Sequence, residues 1–178
     1  MSKEFVASRL DLVSFAQAAA RLEGADPLQQ YERLNSEAEG DTAGRMVNWS
    51  VSGESRTVRG GADEVWLHLH ADVALPMICQ RCLTPVEELV TVDRPFRFAP
   101  DEDAAAALDE ESEEDVLALT PAFNVPELVE DELLMALPAV PRHDVCPVPV
   151  KLVATDKEFE EALAAKPNPF ATLAKLKG

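Results

Sequence analysis

The chain predicts an α+β fold: an antiparallel sheet or partly open β-barrel, with short helices at both ends and a disordered acidic loop. Three observations predict it. Apolar residues recur at helical spacing over the first forty positions, the period changes to two between about 45 and 99, and a carboxylate-rich run then precedes another helical pattern near Pro126. With 178 residues, 47% of them hydrophobic, the chain can bury a core as one domain. The expected organisation of 1–178 is a helical N-terminal part (1–40), a strand-rich core (45–99), an acidic flexible loop (101–118) and a region of helices and C-terminal tail (124–178).

Leu12, Phe15, Ala16, Ala19 and Leu22 form the face of a first helix, with Gly24 as its stop. Asp26-Pro27 reads as an N-cap followed by proline at the first helical position. Leu28, Tyr31 and Leu34 then form the apolar face of a second helix. Val47, Trp49 and Val51 alternate with polar residues, as in a half-buried strand. Gly60-Gly61 marks a turn. Val65, Leu67, Leu69, Ala71, Val73 and Leu75 share one face of a long strand whose other face carries Trp66, His68, His70 and Asp72. Val86, Val90, Val92, Phe96 and Phe98 share a parity on the next strand, where Pro95 points to an edge or a bend.

Residues 101–115 hold nine carboxylates and no basic residue, so the run repels itself and reads as a loop. The helix near Pro126 ends before Pro138. Its Glu127, Glu130 and Asp131 share a face near the N-terminus, where the helix dipole favours negative charge. Thr155 with Glu158 resembles a capping box, and Asn168-Pro169 opens a last turn bearing Phe170, Leu173 and Ala174. Lys166, Lys175 and Lys177 make this tail basic.

The net charge of −17 opposes direct binding to a phosphate backbone and favours basic partners. No apolar run reaches membrane-spanning length, and the N-terminus lacks the apolar core of an export signal. Three cysteines, an odd count, are expected as reduced thiols in a cytoplasmic protein.

All three cysteines fall in two short clusters, Cys79-Gln80-Arg81-Cys82 and His143-Asp144-Val145-Cys146. Cys79, Cys82, His143 and Cys146 could close a tetrahedral site, and structural zinc is the cofactor that suits this donor set. Unligated thiols are the plain alternative. A thiol oxidoreductase using Cys79 and Cys82, with Arg81 favouring the thiolate, is a second reading. It fits less well, because redox Cys-x-x-Cys pairs belong near a βαβ pattern and this pair ends a strand. His68 and His70 could lie beside the cysteines or be merely exposed. Zinc-deaminase chemistry is excluded: Asp72 stands where a proton-shuttling Glu is needed, and the proline–cysteine spacing is wrong. Seven glycines leave little scope for a phosphate-cradling loop or a nucleophile elbow.

Three segments together resemble one family: Cys79-Gln80-Arg81-Cys82-Leu83, the long run from Leu128 through Glu130-Asp131-Glu132 to Arg142-His143, and Lys166-Pro167-Asn168-Pro169-Phe170-Ala171-Thr172-Leu173. In these the chain looks like the bacterial YceD family of large ribosomal RNA subunit accumulation proteins. The resemblance implies a cytoplasmic, non-enzymatic ribosome-biogenesis factor supporting synthesis, processing or stability of large-subunit (23S) ribosomal RNA. It supplies no catalytic residues. Joined to the negative charge, it points to action through a basic ribosomal protein or assembly factor, met by the acidic 101–115 run and the Glu127, Glu130, Asp131 face, with 23S RNA engaged indirectly. Direct RNA binding through Arg81, Lys151 and the lysine-bearing tail is the alternative.

Overall fold

The computed structural model describes residues 4–150 together with 154, 156, 158, 159 and 161. The expected capping box at Thr155, the last turn at Asn168-Pro169 and the cations Lys151, Lys166, Lys175 and Lys177 lie outside the described residues.

A five-stranded sheet in the order β1-β2-β3-β4-β5 forms the centre. The strands are β1 (Arg21–Pro27), β2 (Met46–Arg56), β3 (Glu64–Ile78), β4 (Pro85–Ala99) and β5 (Asp115–Ala118). The first four pair as consecutive antiparallel neighbours, and β5 runs parallel to β4. The sheet is open and mixed, so the expected α+β class with a partly open sheet holds. Helices α1 (Leu12–Gln17), α2 (Glu32–Glu37) and α4 (Val125–Met135) contribute to a single core, while α3 (Glu102–Asp109) packs beside β5.

The strand parities read from the sequence set that core. Val47, Val51, Leu67, Leu69, Ala71, Val73, Leu75, Val90, Val92 and Phe96 are buried on one sheet face, against Leu12 and Phe15 of α1 and Val129 and Leu133 of α4. Burial at about 25 cal/mol per Å² of apolar surface is the main force holding these layers together. On the other face, Asp93 faces His68 Nε2 at 2.9 Å and His70 Nδ1 at 3.5 Å, and all three side chains are exposed. Pro95 falls just before the β5 pairing begins at Phe96, where β4 still has a free edge and a missing N–H costs no ladder bond.

Three expectations are corrected. The N-terminal part is not helical throughout. Helix α1, capped by Asp11 accepting from Ser14 N at 3.1 Å, stops at Gln17, and residues expected to extend it form β1. Pairing with β2 overrides local helix preference there. At Gly24, a Cβ would sit 2.6 Å from the Trp49 ring, so this glycine serves a close packing contact and not a helix stop. The second helix starts later than Pro27: a 3-10 turn at Leu28–Gln30 intervenes before α2. Finally, 101–118 is not a disordered loop. Asp101 caps α3 by accepting from Ala104 N at 2.9 Å, with Glu102 and Asp103 in the first turn, where the dipole favours them. The alanines of α3 provide both helix propensity and the small contact of Ala105 with Ala99 and Val116.

Among the described residues, no helix is long and apolar enough to cross a membrane.

Candidate metal centre

Strands β3 and β4 form a long hairpin whose six-residue tip, 79–84, carries the first cysteine pair. Cys79 N donates to Thr84 O at 3.0 Å, and Leu83 N donates to Cys79 O at 2.8 Å. Leu83 closes this turn at φ 59, in the left-handed region that a leucine enters only under constraint. The turn brings both sulfurs to one side.

The second pair arrives on the segment that follows α4. Pro138, three residues past Met135, bars continuation of the helix, and the chain then bends at 139–140 and 144–145. Gln80 N donates to Pro141 O at 2.8 Å, and Arg142 N donates to Glu88 Oε1 at 3.1 Å, laying the segment across the hairpin tip.

One ligand atom from each of Cys79, Cys82, His143 and Cys146 then lies within 4.8 Å of every other. Cys79 Sγ is 4.0 Å from Cys146 Sγ, and Cys82 Sγ is 3.5 Å from His143 Nδ1. Zinc–sulfur bonds of about 2.3 Å and zinc–nitrogen bonds of about 2.0 Å give tetrahedral edges of roughly 3.8 and 3.5 Å. The four residues fit a zinc ion in both donor chemistry and spacing. With four protein donors, the tetrahedron is complete and keeps no open position for substrate, which is the pattern of a structural site.

The surroundings favour the thiolate at Cys79 and Cys82 but not at Cys146. Burial opposes ionisation of Cys79, but the backbone N–H groups of Cys82, His143 and Arg81 and the His143 ring outweigh it, bringing the thiol down to about 5. The Thr84 side chain, 3.1 Å from Cys82 Sγ, is the main cause holding that thiol below its ordinary value. Hydrogen bonds to Cys79 and Cys82 raise His143. Burial pushes Cys146 up, against the opposing pull of Arg81.

Arg81 and Thr84 complete the centre, and of the two only Arg81 is suggested by its place inside the Cys-x-x-Cys pair. Its Nε donates to Cys146 Sγ at 3.0 Å, and its terminal nitrogen donates to the carbonyls of His143 and, at 3.2 Å, Asp144. A divalent cation bound by three thiolates and a neutral imidazole carries one net negative charge, which this guanidinium offsets. His68 and His70 lie on the sheet's exposed face and are not part of the cluster.

The description of the family model that matches residues 67–177 is "Large ribosomal RNA subunit accumulation protein YceD". The chain belongs to the YceD family. The match takes in β3 from Leu67 onward, β4, α3, β5, α4 and both cysteine clusters. A Haemophilus influenzae relative named "Large ribosomal RNA subunit accumulation protein YceD" is 39% identical over 106 residues, 56% of this chain and 58% of the relative. The similarity thus spans little more than half of that relative's length. No solved structure matches the chain.

The acidic face proposed from the sequence lies on the same YceD region. Arg33 grips Glu130 through Nε at 3.0 Å and a terminal nitrogen at 2.7 Å, and its other terminal nitrogen meets Asp131 at 2.6 Å. The backbone N–H groups of Arg33 and Leu34 also donate to Glu130, at 2.8 and 3.2 Å. Glu130 therefore joins α2 to α4, while Glu127 stays exposed one turn away. Sequence reading could not foresee this clasp, whose partners lie 97 residues apart.

Proposed function

We propose that this YceD-family protein is a non-enzymatic factor that supports accumulation of large-subunit (23S) ribosomal RNA, acting through a basic ribosomal protein or assembly factor. The observation that carries this reading is the YceD match over 67–177, which spans the complete Cys3His cluster. Zinc at Cys79, Cys82, His143 and Cys146 supplies a structural tie, joining the hairpin tip to the chain beyond α4. Arg81 offsets the charge of the thiolates, and Thr84 orients Cys82.

A net charge of −17 supports a basic protein partner over direct contact with RNA phosphates. The partner meets the Glu127, Glu130, Asp131 side of α4, with 23S RNA reached indirectly and the protein working in the cytoplasm.

Depletion of the protein from its own cells tests the role. The expected result is a fall in mature 23S relative to 16S ribosomal RNA, restored by the wild-type chain. An unchanged ratio overturns the reading. Elemental analysis of protein purified under reducing conditions tests the tie: near one equivalent of zinc is expected in wild type, and loss of it in Cys79→Ser. Less than a tenth of an equivalent in wild type refutes a stable site.

A further inference from the structure

Between β5 and α4 the surface opens into a groove of about 670 Å³, continuous through Leu117, Leu128 and Asp131 with a second hollow of about 350 Å³. Its walls are apolar: Phe96 and Leu117 from the sheet, Leu128, Leu134 and Met135 from α4, and Phe123 at the far end. Met135 is 68% exposed, so a large apolar side chain stands in water at one mouth. Most of the charged residues in the lining are acidic. Asp109 and Asp115 stand on the β5 side, and Glu127, Asp131 and Glu132 on the helix. Arg94 is the single cation lining the two hollows. It is already shared between Glu132 at 3.0 Å and Asp115.

Glu132 sharpens the picture. It is 5% exposed, and burial holds its carboxyl above the usual range in spite of Arg94. A buried carboxylate on an apolar wall gains from any further cation brought against it. Phosphate groups meet the opposite field, and a second copy of a chain carrying −17 is repelled.

We infer that this groove binds a segment of a partner protein that bears both lysine or arginine side chains and large apolar anchors. The apolar anchors fill the space between Leu117, Leu128 and Met135, and the cations meet Glu127, Asp131 and Asp115. The inference rests on the basic-partner reading above and names the surface that serves it.

The probe is a synthetic eighteen-residue peptide with leucines at helical spacing and lysines between them. The control is a peptide of equal charge with serine in place of leucine. Both are titrated into isotopically labelled full-length protein at low and at physiological salt. The expected result is shifts in the methyl groups of Leu117, Leu128 and Met135, and an affinity about tenfold or more weaker for the serine control. Met135→Lys and Glu127→Lys change exposed side chains, so the fold survives, which a denaturation curve verifies. Together they are expected to weaken the leucine peptide by a similar factor. Binding to other surfaces, with affinity unchanged in these variants, overturns the groove and leaves the basic-partner reading standing. No binding anywhere at low salt overturns both. A peptide of residues 165–178, itself basic, that displaces the probe assigns the groove to the chain's own tail and also overturns the inference.

Discussion

The two ends of the β3–β4 hairpin are held together by different means. Toward its base, Leu67, Leu69, Val92 and Phe96 are fully or nearly fully buried beneath α1 and α4. At its tip, Cys79 is buried, but Leu83 and Val145 are 73% and 85% exposed, and Val140 also faces solvent. Apart from the buried Pro141, little apolar area holds 138–150 in place, and its contacts with the hairpin include the two cysteine clusters, Arg81, the Gln80–Pro141 backbone hydrogen bond and the bond from Arg142 N to the Glu88 carboxylate. One region is held by hydrophobic burial and the other is gathered around a Cys3His cluster, so each should fail under a different insult.

The largest expected effect breaks the base. Phe96→Ala removes a fully buried aromatic side chain and should cost about 3–5 kcal/mol in chemical denaturation. Protein that remains folded should keep its metal, and loss of zinc from the folded fraction would contradict the separation. Next, Gly53→Ala sets a Cβ 2.7 Å from the Phe15 ring and 2.9 Å from the Ala16 backbone. Because backbone cannot yield as a side-chain end can, about 1–3 kcal/mol of destabilisation is expected, read from the denaturation midpoint.

Metal removal tests the tip. Chelation should speed amide exchange at Gln80, Leu83 and residues 142–146, while β2 and β3 keep their protection. Loss of protection across the whole sheet would show that the base depends on the tip. The smallest effect concerns the metal-free thiols near neutral pH. Cys82 is partly exposed and held below its ordinary value, whereas Cys146 is raised. Mass-spectrometric alkylation kinetics should show Cys82 reacting first, since the thiolate is the nucleophile. Faster reaction at Cys146 would reverse the assigned polarity of the centre.

The same contrast explains what the sequence disclosed. A period of two is a strong signal, and it placed Val65 to Leu75 and Val90 to Phe98 on the correct face. The cysteine and histidine clusters were legible because rare ligand types at short spacing stand out. Strand β1 was not, because Leu22-Glu23-Gly24-Ala25 has weak alternation and becomes a strand only through its partner β2. Helix α3 was hidden by its charge: acids that argue for a loop when counted together become favourable when Asp101, Glu102 and Asp103 stand at a helix start. The Arg33–Glu130 clasp left no local trace at all.

The order of the sheet carries a consequence for biosynthesis. Because β1 to β4 are neighbours in space in the order in which they are made, each strand can add to its predecessor as the chain emerges from the ribosome. The hairpin tip, with Cys79 and Cys82, is then in place some sixty residues before His143 and Cys146 have been translated. During that interval two sulfurs are available to hold an incoming ion loosely. A complete set of four donors exists only once synthesis has passed residue 146, so the metal closure proposed above would be a late, chain-length-dependent event in maturation.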